Sequence, residues 1–281
     1  MEIVERISEL RKIVAGEKKK GARIALVPTM GYLHRGHLTL VKQAKQDGNY
    51  VVMSIFVNPL QFGPNEDFAR YPRDLERDAK LAEEAGVDLI FHPSVEEMYP
   101  QQNRTTVQVS ELGDALCGLS RPTHFRGVTT VVSKLFHIVQ PDRAYFGQKD
   151  FQQYLIIRQM VRDLNFPLEV IPVPIVREED GLALSSRNVF LAPEQRQEAV
   201  VLSKSLIEAE KLIKQGERRV DRIEAYIRNK ITQESSGEID YVEVRSAENL
   251  VKPEVINESV VIALAVKFGT TRLIDNCIVE V

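Results

Sequence analysis

Short apolar runs and amphipathic repeats alternate along the first two thirds of the chain. The apolar runs predict buried parallel strands, at 24–27, 51–57, 88–93, 143–146 and 168–176, with a further strand at 105–109. Between them, apolar residues recur at helical spacing, which predicts helices over about 3–19, 38–44, 75–85, 128–139 and 155–164. Strands and helices that alternate in this rhythm indicate a parallel sheet that is covered on both faces.

The pattern changes after a charged turn at 177–181. One long helix is predicted from Pro193 through Ile213 and a second over 220–231, and strands follow at 240–244, 260–266 and 272–276. This arrangement is typical of a small α+β domain. We therefore predict an α/β domain over 1–176 and a smaller α+β C-terminal domain over 177–281.

Composition narrows the classes of function. The chain has 281 residues, of which 43% are hydrophobic and 27% charged, as in an ordinary globular protein with a sizeable core. Its formal net charge of −3 argues against a nucleic-acid partner, although it leaves room for a local basic site for a triphosphate. No apolar run approaches the ~18 residues of a membrane span, and the amino-terminal segment lacks the apolar centre of a secretory signal. We expect a cytoplasmic protein with no membrane partner.

The two cysteines do not suggest a disulfide framework. Cys117 and Cys277 lie far apart in sequence, and their surroundings show no metal-ligand spacing. We interpret each as a small core residue, and we expect no metal held by protein side chains.

The segment 28–37 joins the first apolar run to the following helix and carries the first candidate chemistry. Gly31 and Gly36 let the backbone approach a ligand closely, and a helix N-terminus favours phosphate. The imidazoles of His34 and His37 can donate hydrogen bonds to phosphate oxygens. The His-x-Gly-His spacing is typical of adenylyl transfer. The alternative is that the two histidines merely cap the helix or pack at the surface.

Three other segments with polar side chains stand at predicted strand ends or at the charged turn, namely 58–63, 147–153 and 184–188. With the first segment they supply histidines, a lysine, an arginine, serines and amides, which suits phosphoryl or adenylyl chemistry. The chain lacks the Gly-x-x-x-x-Gly-Lys-Ser/Thr phosphate loop. The segment 62–72 is predicted to be a long loop, which is either a lid or a plain surface excursion.

Five segments, in this order, resemble the pantoate–β-alanine ligase family, the pantothenate synthetases. They are Pro-Thr-Met-Gly-Tyr-Leu-His-Arg-Gly-His (28–37), Phe-Val-Asn-Pro-Leu-Gln-Phe (56–62), Phe-Arg-Gly-Val-Thr-Thr-Val-Val (125–132), Phe-Gly-Gln-Lys-Asp-Phe-Gln-Gln (146–153) and Leu-Ser-Ser-Arg-Asn (184–188). The resemblance covers essentially the whole chain, and the five segments together are highly specific.

The resemblance implies a Rossmann-like parallel-sheet domain with a smaller α+β C-terminal domain that serves as a lid. It implies a two-step ligation in which pantoate and ATP give a pantoyl adenylate and pyrophosphate. The amine of β-alanine then attacks the acyl carbon and gives pantothenate and AMP. Mg²⁺ accompanies the ATP, and the chain is expected to form a homodimer.

The resemblance also implies residue roles at the matching positions. The catalytic residues would be His37, His34 and Lys149, with His37 as proton donor and Lys149 on the phosphates. Gln61 and Gln153 would bind pantoate, and Gln61 also the incoming β-alanine. The residues expected to bind ATP are Met30, Gly31, Tyr32, Leu33, His34, Arg35, Gly36, His37, Gly147, Gln148, Lys149, Asp150, Val176, Leu184, Ser185, Ser186 and Arg187. No particular role is attached to Tyr32 or Arg35 within that set.

Two other functions compete with the ligase. One is a different small-molecule adenylyl or nucleotidyl transferase that leaves the adenylyl group on its product, against which the two glutamines count. The other is a non-catalytic nucleotide-binding module or an RNA-binding relative, against which the negative net charge counts.

Overall fold

The computed structural model describes residues 1–64, 66 and 68–281. Within these ranges the strands are β1 (Glu2–Val4), β2 (Ile24–Thr29), β3 (Tyr50–Ile55), β4 (Leu89–Phe91), β5 (Arg143–Gly147), β6 (Glu169–Val173), β7 (Glu238–Ser246), β8 (Val260–Phe268) and β9 (Thr271–Val279). The α-helices are α1 (Ile7–Lys19), α2 (Arg35–Gln46), α3 (Leu75–Ala85), α4 (Val95–Met98), α5 (Cys117–Ser120), α6 (His124–Val139), α7 (Phe151–Asp163), α8 (Pro193–Glu198), α9 (Val201–Lys214) and α10 (Val220–Glu234). Short 3₁₀ helices occupy Pro59–Gln61, Gln148–Asp150 and Ser186–Phe190.

The first sheet is parallel and six-stranded, in the order β1-β4-β3-β2-β5-β6. This confirms the predicted parallel sheet. The chain fills the sheet on one side of β2 with β3 and β4 and then crosses to the other side with β5 and β6. In such a sheet, ligands bind beyond the carboxyl ends of the strands, at the point where the order in which strands are added reverses. The segments that follow β2 and β5 are therefore the expected binding segments.

A buried tyrosine closes the opposite, amino-terminal edge of this sheet. The Tyr145 hydroxyl donates to the Asp47 carboxylate at 2.6 Å and accepts from Asn49 Nδ2 at 3.0 Å. Burial, together with the Asp47 carboxylate, raises the pKa of Tyr145 to about 12. The side chain of Asn49 also donates to the Ala44 carbonyl at 2.9 Å. This network lies at the edge of the sheet away from the expected binding segments.

The C-terminal part of the chain forms a three-stranded antiparallel sheet in the order β7-β8-β9. Its apolar face and the helices α9 and α10 share one buried core, which includes Leu206, Ile223, Ile227, Val242 and Leu264. This confirms the predicted small α+β arrangement. Among the helices of the described ranges, none combines the length and the apolar character that a bilayer crossing requires.

The chain divides into two compact units. The first comprises Met1–Asp114, Gly118–Gln148 and Gln152–Pro174, and the second comprises Ala115–Cys117, Lys149–Phe151 and Ile175–Val281. The predicted domain ranges, 1–176 and 177–281, stay a prediction.

The amino-terminal helix was predicted too long. Ile3 and Val4 belong to β1, which pairs with β4 in the register Ile3↔Ile90, and α1 begins at Ile7. Val4 is buried whereas Ile3 is 42% exposed. The apolar spacing of Ile3 and Ile7 fits a helix equally well, but the exposed edge of β4 offers the backbone of Glu2–Val4 a partner.

Two other predictions were wrong. The segment 105–109 is not a strand, because Val107 bonds to α6 instead: its N–H donates to Thr130 Oγ1 at 3.0 Å and its carbonyl accepts from Thr129 Oγ1 at 2.6 Å. The single helix predicted from Pro193 is two helices, α8 and α9, separated at Ala199 and Val200. Both of these residues are buried and keep helical backbone angles, so the apolar spacing does not reveal the break.

Helix α6 packs on the 3₁₀ turn Pro59–Gln61 at a glycine. A Cβ on Gly127 would lie 2.2 Å from the Leu60 carbonyl oxygen and 2.6 Å from the Gln61 Cα. Both neighbours are backbone atoms that a side-chain rotation cannot move. The close approach of this turn to α6 therefore requires glycine at position 127.

We expect Gly127→Ala to lower the free energy of unfolding by about 1–3 kcal/mol, because the turn or α6 must shift. Gly16→Ala in α1 is the matched control, since a Cβ there meets nothing within 4 Å. That change should stabilise the protein by about 0.5–1 kcal/mol, because alanine is the better helix former. Urea denaturation measures the free energy of unfolding of both variants. A Gly127→Ala protein with the same unfolding free energy as the unchanged protein would contradict the close packing of the turn on α6.

Candidate active site

The loop that follows β2 wraps around a buried carboxylate. Gly31 and Tyr32 have positive φ angles of 83° and 51°, and this backbone conformation turns consecutive N–H groups toward one point. The N–H of Tyr32 donates to Asp78 Oδ2 at 2.6 Å, and that of Leu33 donates to Asp78 Oδ1 at 2.7 Å. A Cβ on Gly31 would stand 3.0 Å from Asp78 Oδ2. Glycine at position 31 therefore lets the loop approach the carboxylate.

Arg77 closes the same loop from outside. Its guanidinium lies 3.3 Å from Asp78 Oδ1, donates to the Leu33 carbonyl at 2.9 Å and stacks 4.9 Å from the centre of the Tyr32 ring. Burial raises the pKa of Asp78, and the two backbone N–H groups and Arg77 offset this only in part. Asp78 was not among the residues predicted from the sequence. Its signal was a lone carboxylate in the apolar stripe of α3, between Leu75 and Ala82.

His34 and His37 come together at the start of α2. Nδ1 of His34 accepts from the Gly36 N–H at 3.1 Å, and Nδ1 of His37 accepts from the His34 N–H at 3.3 Å. The ring centres are 4.0 Å apart. A backbone N–H can only donate, so each Nδ1 presents its lone pair and the neutral ring carries its hydrogen on Nε2. The histidines do cap the helix, and the same bonds leave Nε2 as the donor atom of each ring.

Gln61 is oriented by a buried asparagine. Asn58 Nδ2 donates to Gln61 Oε1 at 3.1 Å and to the Gly127 carbonyl at 3.2 Å, while Asn58 Oδ1 accepts from the Tyr99 hydroxyl at 2.9 Å. Burial raises the pKa of Tyr99, so this hydroxyl remains a donor. Gln61 Nε2 then points to the Met30 sulfur at 3.1 Å. Asn58 and Tyr99 are positioning residues that were not among those predicted from the sequence.

The backbone of Gln61 is held from the α6 side. Its carbonyl lies 3.0 Å from His124 Nδ1 and accepts from Arg121 Nη2 at 3.3 Å. Arg121 also makes a two-pronged ion pair with Glu66. Burial acts to raise the pKa of Glu66, but the hydrogen bonds and charge of Arg121 lower it overall. The predicted loop 62–72 contains Asn65 and Asp67, which lie outside the described residues, so its lid role stays a prediction.

In the second unit, a short hairpin brings the remaining candidate segments into order. The Leu184 N–H donates to the Val176 carbonyl at 3.0 Å, and Arg177 forms a bridge with Ala183. Ser185 caps the following 3₁₀ helix, because its Oγ accepts from the Arg187 N–H at 3.2 Å. Val176 therefore lies beside Leu184, next to the Ser-Ser-Arg segment.

The candidate residues divide between the two units. The first unit holds Met30, Gly31, Tyr32, Leu33, His34, Arg35, Gly36, His37, Gln61, Gly147, Gln148 and Gln153. The second holds Lys149, Asp150, Val176, Leu184, Ser185, Ser186 and Arg187. Gln153 is half-buried on α7.

The model of the pantoate–β-alanine ligase family matches residues 2–278. The chain belongs to the pantoate–β-alanine ligase family. It is therefore an enzyme of that ligase class, and the resemblance of the five segments is confirmed. A pantothenate synthetase of Desulfitobacterium hafniense is 72% identical over 280 residues, which cover 100% of this chain and 99% of the relative. One from Acetivibrio thermocellus is 62% identical over 281 residues, 100% of each chain.

Solved structures of the ligase family share the fold. A pantothenate synthetase of Thermus thermophilus superimposes with a TM-score of 0.93 at 49% identity, over 99% of each chain. A pantoate–β-alanine ligase from Francisella tularensis, described as complexed with β,γ-ATP and β-alanine, gives a TM-score of 0.82 at 33% identity. It covers 99% of this chain and 97% of its own. The predicted Rossmann-like fold class is confirmed.

We expect Asp78→Asn to lower the ligase turnover by about tenfold or more, because one of the two loop N–H groups loses its acceptor and the histidine pair shifts. The unfolding free energy should fall by about 1–3 kcal/mol, the cost of an unpaired buried donor. Turnover at saturating substrates, measured beside urea denaturation, tests both effects.

Asp74→Asn is the matched control. Asp74 caps the same helix by accepting from the Arg77 N–H, and asparagine caps equally well. Unchanged turnover in Asp78→Asn, with Asp74→Asn as reference, would refute the positioning of the histidines by this carboxylate.

Proposed function

We propose that this ligase joins pantoate to β-alanine in two steps. A carboxylate oxygen of pantoate attacks the α-phosphorus of ATP, and the bond to the pyrophosphate oxygen breaks. The β-alanine amine then attacks the acyl carbon of the pantoyl adenylate, loses a proton and displaces AMP. The observation that supports this best is the pair of Nε2 donors at the start of α2, beyond the end of β2 at the reversal of the sheet.

Charge builds on the phosphate oxygens in the first step. The Nε2–H groups of His34 and His37, the N-terminus of α2 and the ammonium group of Lys149 can each offset it, by about a few kcal/mol in a site without water. Pyrophosphate is stable as an anion and needs no proton to leave. We therefore assign His37 to hydrogen-bond donation, since a ring whose Nδ1 accepts the His34 N–H would become an anion if it released the Nε2 proton.

The other roles follow the family resemblance. The nucleotide is proposed to bind along Met30–His37, at Gly147–Asp150, at the backbone of Val176 and along Leu184–Arg187. The glutamine amides of Gln61 and Gln153 suit pantoate, whose carboxylate and hydroxyl groups need donors and acceptors. Because the Gln61 amide is fixed by Asn58, its NH₂ group is oriented before any ligand arrives.

Mg²⁺ is proposed to enter with its substrate as the ATP complex. Among the residues of 1–64, 66 and 68–281, no cluster of three or more His, Cys, Asp or Glu side chains could hold a metal ion. In nucleotide complexes, Mg²⁺ is usually held mainly by phosphate oxygens and water.

Three further expectations stay proposals. The C-terminal domain and the loop 62–72 would act as lids that protect the adenylate from hydrolysis. The enzyme would be a homodimer, which the mass in solution by light scattering would test. It would work in the cytoplasm.

An assay with isotopically labelled pantoate tests the proposed function. With ¹⁸O in its carboxylate, the adenylate route transfers one label to AMP, because the acyl–oxygen bond breaks in the second step. AMP should accumulate only when β-alanine is present. Unlabelled AMP would refute the adenylate. A nucleotidyl transferase would release no AMP at all.

We expect Lys149→Ala to slow pyrophosphate formation from pantoate and ATP by at least about a hundredfold, because a phosphate counter-charge is lost. Lys204→Ala, an exposed lysine on α9 in the same unit, should leave the rate unchanged. A folded Lys149→Ala protein with near-normal pyrophosphate release would remove Lys149 from the mechanism.

Gln153→Ala should raise the KM for pantoate more than the KM for ATP, because the amide is proposed to contact the acid. Gln159→Ala is the control on the same helix, where the side chain donates to Asp163 at 2.7 Å on the surface. Initial-rate kinetics with each substrate varied in turn measure the two constants. Equal increases in both would speak against a pantoate contact.

A further inference from the structure

A buried carboxylate lies in the middle of β9. Asp275 accepts from Arg177 through two bonds, from Nη1 to Oδ2 at 2.6 Å and from Nη2 to Oδ1 at 3.0 Å. The N–H of Asn276 also donates to Asp275 Oδ1, at 2.8 Å. Asp275 is only 2% exposed. Burial raises the pKa of this carboxyl, and Arg177, the Asn276 N–H and the nearby charge of Lys149 offset that rise only in part.

Arg177 connects this carboxylate to the hairpin that precedes the Ser-Ser-Arg segment. Its Nη1 also donates to the Gly181 carbonyl at 3.2 Å and its Nη2 to the Asn276 carbonyl at 3.4 Å. The guanidinium therefore bonds to the hairpin turn as well as to β9. Arg177 also forms an antiparallel β-bridge with Ala183. The ion pair therefore fixes the second strand of the hairpin, which contains Ala183 and continues into Leu184.

Asn276, the next residue on β9, bonds to the segment that contains Lys149. This is the other segment of the second unit that is expected to bind the ATP phosphates. Asn276 is 4% exposed, and its Nδ2 donates to the Lys149 carbonyl at 2.8 Å. Two consecutive residues of one strand thus hold two segments that are 28 or more positions apart in the chain, Lys149 and the hairpin beginning at Arg177. All of these contacts lie within the second compact unit.

We propose that Asp275 and Asn276 are positioning residues that hold Lys149 and Leu184–Arg187 in one fixed arrangement for the ATP phosphates. This inference rests on the proposed ATP-binding role of those segments. A buried ion pair adds little net stability, because desolvation of the charges opposes their attraction. Its two-pronged geometry does fix direction. When charged groups are fixed before the ligand binds, their ordering does not reduce the binding free energy.

The test compares two equally buried asparagines. Asn276→Ala removes the bond to the Lys149 carbonyl, while Asn49→Ala removes bonds of the same kind to Ala44 and Tyr145 at the amino-terminal edge of the first sheet. Both residues are 4% exposed. Titration calorimetry with MgATP alone measures binding, and thermal unfolding measures the stability of each variant.

We expect Asn276→Ala to weaken MgATP binding by about tenfold, because Lys149 is no longer held in place. Asn49→Ala should lose comparable stability and bind MgATP within about twofold of the unchanged protein, since it acts only on the fold. Arg177→Lys, which keeps the charge but not the two-pronged pair, is the second variant if Asn276→Ala does not fold. It should weaken MgATP binding similarly.

The outcomes separate this inference from the proposed function. If Asn276→Ala or Arg177→Lys binds MgATP no more weakly than Asn49→Ala, the positioning role is overturned. If the unchanged protein binds MgATP but forms no pyrophosphate with pantoate, the proposed function fails while the comparison of MgATP affinities still decides the inference. If the unchanged protein does not bind MgATP, both are overturned.

Discussion

A carboxylate that is removed from water must be surrounded by N–H donors, because an unpaired buried charge costs several kcal/mol or more. In each compact unit, a candidate binding segment is shaped by this constraint. Asp78 collects the N–H groups of Tyr32 and Leu33 together with Arg77. Asp275 collects Arg177 and the N–H of Asn276. Each carboxylate stabilises the conformation of its loop through these bonds. The loop conformation in turn positions the candidate ligand-binding residues.

The hydrogen bonds of the two rings reconcile the two interpretations of the histidine pair. Helix capping and nucleotide chemistry stand as alternatives in the sequence, since either would place histidines at a helix start. In the structure, capping uses Nδ1 of both rings and so determines which atom can donate to a ligand. The structural role thereby selects the tautomer that the proposed chemistry requires.

Periodicity and segment order were sufficient for strands β2 to β6 of the parallel sheet and for the α+β character of the C-terminal part. They did not give the strand ends, since the predicted strands 51–57, 88–93 and 168–176 extend beyond β3, β4 and β6. They failed where a short segment finds a partner that spacing does not show, as Ile3 does on β4 and Val107 does on α6. The family's segments identified the residues expected to touch ligand. They did not reveal Asp78 or Asp275, because each acts through contacts that are remote in sequence. They contained Asn58 without indicating that it orients Gln61. A polar residue inside an apolar stripe, such as Asp78 in α3, is the signal that was available.

The interleaving of the two compact units limits the modularity of the enzyme. The second unit includes Ala115–Cys117 and Lys149–Phe151 as well as everything from Ile175 onward. A fragment that began at Ile175 would carry Asn276 without the carbonyl it bonds and Tyr241 without the Cys117 thiol, 3.2 Å from its hydroxyl. The C-terminal region therefore keeps these contacts only when the two short segments of the preceding chain, Ala115–Cys117 and Lys149–Phe151, accompany it.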